Sequence, residues 1–266
     1  MSGPPDVVGA LLREPRDALV VVDFDGTLAP IVPRPEDAAP TPGAVEVLSD
    51  LASRLGGVAI LSGRPAAEVA RLAGLEADSL LQVLGHYGLQ RWRAGAVESP
   101  PPVPGVAAAR SRLPELLSDA DPGVAVEDKE HSVAIHPRGA ADPERALAAL
   151  RPALSRLAAE LGLEAVPGRY VLELRPPGVD KGAALRALVA ELGARVVVYI
   201  GDDVGDLPAY AAVESLRESG GIDGLTVAVV DPADVDVPAI VGEHADLVLD
   251  GPVAVVAWLG GIAEML

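Results

Sequence analysis

An aliphatic run, ALVVV, ends on two aspartates one residue apart, in the stretch Asp23-Phe24-Asp25-Gly26-Thr27. Alternate side chains of an extended segment share a face, so both carboxylates point one way. Phe24, the only phenylalanine in the chain, points the other way into the core. Two carboxylates alone repel a phosphate. Joined by a further acid they make a hard-oxygen site suited to Mg2+, which uses few carboxylates and keeps several waters. The stretch GDDVGD supplies that acid in Asp202. One carboxylate can then attack phosphorus and carry an aspartyl-phosphate. The other can protonate the leaving oxygen and later deprotonate water.

Two further clusters suit the same chemistry. Ser62-Gly63-Arg64 offers a hydroxyl and backbone amides for phosphate oxygens. Asp180-Lys181-Gly182 opens a predicted helix, where the macrodipole disfavours a cation by about 0.3–1 kcal/mol. A lysine placed against that field makes sense if it and the helix end both face an anion. Each cluster alone has a plainer reading. The paired acids make a turn, Ser62-Gly63-Arg64 a loop, Lys181 a solvated side chain, and Gly201-Asp202-Asp203 a capped turn. All four together, each at a strand end or helix start, point to one site.

The elements that must position them follow from pattern. Short aliphatic runs at 19–22, 58–61, 80–84, 195–200 and 225–230 alternate with helical segments at 43–55, from 65, 180–192 and 207–218. Fully apolar strands separated by helices predict a parallel sheet covered on both faces. The polar clusters follow three of these strands, and ligands of open parallel sheets bind beyond the strands' carboxyl ends. The middle of the chain differs. VAVEDKEHSVAIHP and RYVLELRPP alternate apolar and polar residues, as half-exposed antiparallel strands do. A long amphipathic helix lies between them at 142–161, with Asp142 as its N-cap and Pro143 in its first turn. The fold class expected is therefore α/β, with a parallel-sheet core over 1–102 and 177–266 and a smaller α+β cap over 103–176. Pro-rich segments at 100–104 and 175–177 are the expected hinges.

Composition narrows the function. Half of the 266 residues are apolar, ample for a packed core, and the seven aromatics (two Trp, four Tyr, one Phe) leave that core aliphatic. A formal charge of −18 disfavours nucleic acid and anionic membranes, so neither is an expected partner. The absence of cysteine excludes disulfides, thiolate zinc sites and thiol nucleophiles. The N-terminus has no basic segment ahead of an apolar one, so no signal peptide is expected. No apolar stretch approaches the roughly 18 residues of a membrane span. The expectation is a cytoplasmic protein, monomeric by default.

The motifs DFDGT, SGR, DKG and GDDVGD resemble those of the haloacid dehalogenase (HAD) superfamily of phosphatases. That resemblance implies a Rossmannoid core with a C2-type cap, Asp23 as nucleophile and Asp25 as general acid/base. It implies Ser62 and Lys181 as phosphate binders, with Gly26, Thr27, Gly63 and Arg64 around the substrate. It implies Mg2+ held by Asp23, the Asp25 backbone carbonyl and Asp202, with Asp206 behind them. The stretches DFDGTLAPIVPRPEDAAPT, LSGRP, LGHYGLQRW, VEDKEHSVAIHPR and LELRPPGVDKGAAL are similar to the trehalose-6-phosphate phosphatases. In that family charged cap side chains read the sugar, and the matching positions are Glu127, Lys129, His136, Arg138, Arg169 and Glu173. His86 is a candidate substrate contact on a different basis, its place just after a core strand. The fourth motif departs from the family at Gly205 and Leu207, and Arg169 stands where lysine is commoner.

The 127–130 charges also fit a solvated strand edge, and His86 a loop. His131 and His244 are expected on the surface. The resulting expectation is a Mg2+-dependent phosphatase that hydrolyses trehalose 6-phosphate through an aspartyl-phosphate. One alternative is a phosphatase of the same superfamily for another sugar or polyol phosphate. The other is an inactive sugar-phosphate-binding protein, which a missing Asp23, Asp25, Lys181 or Asp202 would signal, and all four are present.

Overall fold

The computed structural model describes residues 6–168, 170–230 and 239–266. They form two compact units, Met1–Ser99 with Asp180–Leu266, and Pro100–Val179. The chain begins with α1 (Val7–Arg13), β1 (Ala18–Val22), α2 (Ala44–Arg54), β2 (Gly57–Leu61), α3 (Ala66–Leu72), β3 (Gln82–Gly85), β4 (Gln90–Arg93) and β5 (Ala96–Glu98). The second unit holds α4 (Pro104–Leu116), β6 (Ala125–Asp128), β7 (Val133–His136), α5 (Pro143–Glu160), β8 (Glu164–Gly168) and β9 (Val171–Arg175). The chain returns with α6 (Lys181–Leu192), β10 (Val196–Gly201), α7 (Leu207–Glu218) and β11 (Asp223–Val230). It ends with α8 (Ala239–Glu243), β12 (Leu247–Asp250) and α9 (Gly251–Met265).

In the first unit the strand order is β12-β11-β10-β1-β2-β3-β4-β5, parallel from β12 to β3. β1 lies between β10 and β2, with Val22 level with Ile200 and Ile60. Alternation sends Val20, Val22, Ile60, Val198 and Ile200 into one core with α1, α2, α3 and α9. It sends Leu19, Val21, Ala59, Leu61, Val197 and Tyr199 into another with α6 and α7. Burial on both faces explains why these strands are apolar at almost every position. Each fully buried Leu or Ile contributes about 1.5–3 kcal/mol of transfer free energy. Ala44, Leu48 and Leu51 are the buried stripe of α2, spaced four and three residues apart.

Helix ends follow from sequence. The Asp180 side chain accepts the Ala183 N–H at 2.7 Å to start α6, and Gly193 at φ 62° ends it. Asp142 accepts the Arg145 N–H at 3.0 Å to start α5.

The sheet also holds strands that pattern did not predict. β4 and β5 extend it antiparallel beyond β3, and β12 forms its other edge. The hairpin turns at Ala94 and Gly95, with φ of 50° and 77°, without the Asn-Gly or Asp-Gly signal of such turns. The core sheet is thus mixed, parallel through its middle with one antiparallel edge.

The second unit is an antiparallel sheet in the order β6-β7-β9-β8. One face buries Val133, Ile135, Leu172 and Leu174 against Val106, Ala109 and Leu113 of α4 and Leu154 and Leu157 of α5. The other face carries polar residues, with Glu127 level with Ala134 and Ala134 level with Glu173. One expectation is corrected here. His131 is 3% exposed rather than on the surface; it sits in the tight β6–β7 connection, where Glu130 has φ 65° and the His131 N–H donates to the Lys129 carbonyl at 2.7 Å.

Candidate active site

The register of β1, β2 and β10 brings Asp23, Ser62 and Asp202 to one edge of the sheet. Asp23 N–H donates to the Ile200 carbonyl at 2.9 Å, and Ser62 N–H to that of Leu84 at 2.9 Å. Lys181, the first residue of α6, reaches the same place. Its Nζ lies 2.8 Å from Asp23 Oδ1 and 2.7 Å from Asp206 Oδ1. Asp206 is fully buried and saturated. Oδ1 accepts from Lys181 and from the Tyr199 hydroxyl at 2.6 Å, while Oδ2 accepts the Asp202 and Asp203 N–H groups, both at 3.1 Å. The Asp203 side chain in turn accepts the Gly205 N–H, closing a capping box ahead of α7.

Three buried carboxylates, Asp23, Asp202 and Asp206, each place an oxygen within 4.8 Å of the others, and Lys181 is the cation among them. Burial pushes the Asp23 carboxyl up to about 8, although Lys181 pulls it down. Burial and the Asp23 charge push Asp202 well above the ordinary carboxylate range. Burial alone would lower Lys181, but Asp206 and Asp23 hold it well above its usual value. Excess negative charge in a dry pocket is what a divalent cation neutralises. The cluster of Asp23, Asp202 and Asp206 therefore fits a hard divalent ion. Asp206 has four donors on its four lone-pair sites and braces the others.

Asp25 stands apart from that cluster. Arg64 Nε donates to its Oδ2 at 2.7 Å and Nη2 to its Oδ1 at 2.8 Å. Arg64 Nη1 also donates to Glu68 Oε1 at 2.5 Å and to the Pro35 carbonyl at 2.9 Å. The guanidinium lies 5.9 Å over the buried Phe24 ring. Burial alone would lower the Arg64 pKa, but its hydrogen bonds and charge interactions with Asp25 and Glu68 raise it above its usual value, so the group is always charged. Four of its five N–H groups are thus spent on protein. Arg64 holds Asp25 here, rather than standing open to a phosphate.

The loop after β1 is built for close approach. Gly26 has φ 80°, and a Cβ there would lie 2.0 Å from Asp202 Oδ2. Thr27, fully buried, donates its hydroxyl to Asp202 Oδ1 at 3.1 Å, so it orients the acid. Ser62 is 2% exposed, and its Oγ accepts the Arg64 N–H at 3.2 Å. His86 and Tyr87 are consecutive left-handed residues, φ 48° and 57°. Their N–H groups donate to Arg64 and Ser62 carbonyls at 2.9 and 3.0 Å, binding this loop to the Ser62-Gly63-Arg64 turn. The Tyr87 ring covers Gly63, where a Cβ would sit 2.9 Å from its Cζ and hydroxyl oxygen.

The cap positions lie within the second unit. His136 Nε2 and Glu127 Oε2 are 2.8 Å apart, and Lys129 Nζ is 3.8 Å from the same oxygen. The Ser132 hydroxyl donates to the buried Glu173. Arg138 is exposed beyond β7, and Arg169 lies outside the described residues.

Sequence reasoning missed Tyr199 and Tyr87. The signal for Tyr199 was present, since a phenol in the aliphatic strand VVVYIG must find a partner when buried.

The fold places the chain in a known class. It is similar to a haloacid dehalogenase-like hydrolase from Bacteroides thetaiotaomicron, 18% identical with a TM-score of 0.63, covering 92% of this chain and 99% of that one. It is also similar to the C-terminal domain of the C. albicans trehalose-6-phosphate phosphatase, 21% identical with a TM-score of 0.78, covering 100% and 98%. The core is therefore an α/β fold of the haloacid dehalogenase type. The trehalose-phosphatase family model matches residues 21–234. The trehalose-phosphate phosphatase of Mycobacterium marinum is 35% identical over 287 residues, covering 100% of this chain and 67% of that protein. The chain belongs to the trehalose-phosphatase family. No helix among the described residues is long and apolar enough to cross a membrane.

Proposed function

We propose that this protein hydrolyses trehalose 6-phosphate to trehalose and inorganic phosphate. The observation that carries this is the buried cluster of Asp23, Lys181, Asp202 and Asp206 at the strand ends of a trehalose-phosphatase family member. Asp23 attacks phosphorus, and the bond from phosphorus to the sugar oxygen breaks. Asp25 gives that oxygen a proton, releasing the sugar as an alcohol. Asp25 then takes a proton from water, which attacks the aspartyl-phosphate and releases phosphate and free Asp23. Lys181 and Ser62 hold the phosphate oxygens. Asp23, Asp202 and the Asp25 backbone carbonyl would hold Mg2+, which would supply positive charge against the phosphate oxygens. We assign sugar recognition to the cap residues Glu127, Lys129, Arg138, Arg169 and Glu173, whose charged groups grip hydroxyls through charge-assisted hydrogen bonds. We place the activity in the cytoplasm, on a monomer.

The test is phosphate release from a panel of sugar and polyol phosphates, with and without Mg2+. Trehalose 6-phosphate is expected to be clearly preferred, and an equal response to other sugar phosphates sinks the substrate assignment. Normal turnover by Asp23→Asn sinks the mechanism.

A further inference from the structure

Tyr199 is the one side chain of β10 that carries a polar atom, and it is fully buried among the aliphatic residues facing α6 and α7. Its ring is set edge-on against Tyr210, with centroids 5.8 Å apart at 76°. The hydroxyl is thereby aimed at Asp206 Oδ1, the oxygen that also accepts from Lys181. We propose that Tyr199 is a positioning residue for the reaction: through Asp206, its hydroxyl sets where the Lys181 ammonium stands against Asp23. The inference rests on the phosphatase reading above and names a residue that reading does not use.

The physics lies in the lysine. An ammonium is a point charge with three donors on a flexible stem, and it takes its direction from its acceptors. Lys181 gives one N–H to Asp206 and one to Asp23, which leaves a third for a phosphate oxygen. Its line to Asp23 therefore depends on Asp206 keeping its place. Asp206 is pinned on one side by the Asp202 and Asp203 amides, and on the other by Tyr199. Without the Tyr199 hydroxyl, Oδ1 keeps Lys181 as its sole donor. The carboxylate can then turn about its amide anchors and carry the ammonium with it. The neighbouring Tyr210 provides the control. It is equally deep in the core, but its hydroxyl serves the Gly201 and Val227 carbonyls at 2.9 and 3.0 Å.

The experiment compares Tyr199→Phe and Tyr210→Phe in the full chain. Each loses one buried hydroxyl and keeps its ring, so both are expected to lose some thermal stability. Three quantities are read: kcat and KM for the preferred sugar phosphate, inhibition by orthovanadate, and the affinity for inorganic phosphate by calorimetry. Tyr199→Phe is expected to lower kcat/KM by about 10–100-fold, the usual effect of removing a partner of a site ligand, and to weaken phosphate about tenfold. Tyr210→Phe is expected to stay within about threefold in each. Wild-type kcat/KM and phosphate affinity in Tyr199→Phe would overturn the proposal. Equal losses in both variants would make Tyr199 a packing residue and overturn it too. If the wild-type chain hydrolyses no phosphate ester, the phosphatase reading fails, and the phosphate affinities of the two variants still decide the role of Tyr199.

Discussion

Arg64 grips Asp25 with two parallel hydrogen bonds, 2.7 and 2.8 Å, and is itself anchored on Glu68 and the Pro35 carbonyl. The residue proposed to move protons is thus held by a fork whose base is mounted on α3. A lysine at 64 keeps the charge and loses the fork. Arg64→Lys is expected to lower kcat by about tenfold or more while KM for the sugar phosphate changes less than about threefold, the split expected when an interaction acts on the reaction step rather than on binding. Steady-state kinetics checks this, and a change confined to KM would make Arg64 a substrate-binding residue instead.

The crowded carboxylates predict how stability responds to metal and pH. In the metal-free protein the folded state holds the Asp23 carboxyl at about 8, above its ordinary 3.8. The folded state then binds more protons than the unfolded one between those values, so this group's contribution falls as pH rises from about 4 to about 8. A bound cation needs the carboxylates ionised and reverses the trend. Thermal melts with and without Mg2+ should therefore diverge, with a larger Tm gap at pH 8 than at pH 6. A gap that narrows with pH contradicts the assignment of Asp23 as a ligand.

Gly26 offers a sharper lesion. A methyl group there meets Asp202 Oδ2 at 2.0 Å, on a backbone with φ 80° that costs a non-glycine residue about 1–2 kcal/mol. Gly26→Ala should displace the Asp202 carboxylate. The expected result is a folded protein whose Tm no longer rises with Mg2+ and whose turnover is reduced at least tenfold, checked by melting curves and phosphate release.

Recognition of the sugar should separate from chemistry on the phosphate. Glu173, buried and held by Ser132, is a charged acceptor on the polar face of the second unit's sheet. A hydrogen bond to a charged group is worth about 1.5–3 kcal/mol, or roughly 10–100-fold in affinity. Glu173→Gln should raise KM for trehalose 6-phosphate by about tenfold, leaving p-nitrophenyl phosphate hydrolysis within about threefold. Parallel kinetics on the two substrates checks the difference.

The legible part of this molecule was the part governed by local pattern. ALVVV, GVAIL and VVVYIG declare buried strands by composition, and each hands its C-terminal end to a polar cluster. The N-cap of α6 could be read from Asp180, and the N-cap of α5 from Asp142. What stayed hidden depends on contacts far apart in the chain. QRWR and LVLD are four-residue strands too short to show a pattern, the first beside the edge strand β5 and the second at the opposite edge, so the hairpin and β12 went unseen. Arg64 looked like a residue around the substrate because its sequence neighbours, Ser62 and Gly63, say nothing of its hydrogen bonds to Glu68, Pro35 and Asp25. Thr27 looked like a substrate contact for the same reason, and its hydroxyl goes to Asp202, 175 positions away.

The placement of β10 bears on how the protein comes into being. β1 is the middle strand of the site, and β10, its partner on one side, is encoded after the entire second unit. A nascent chain that has emerged through Ser99 carries β1 with β2 along one edge and its other edge bare. That bare edge is an aliphatic row of unpaired backbone groups, the kind of surface that invites misassembly. Lys181, just ahead of β10, and Asp202, just after it, also follow the second unit, so the acidic pocket cannot form until that unit has been made. Folding therefore depends on how long that edge stays bare as well as on the stability of the finished fold.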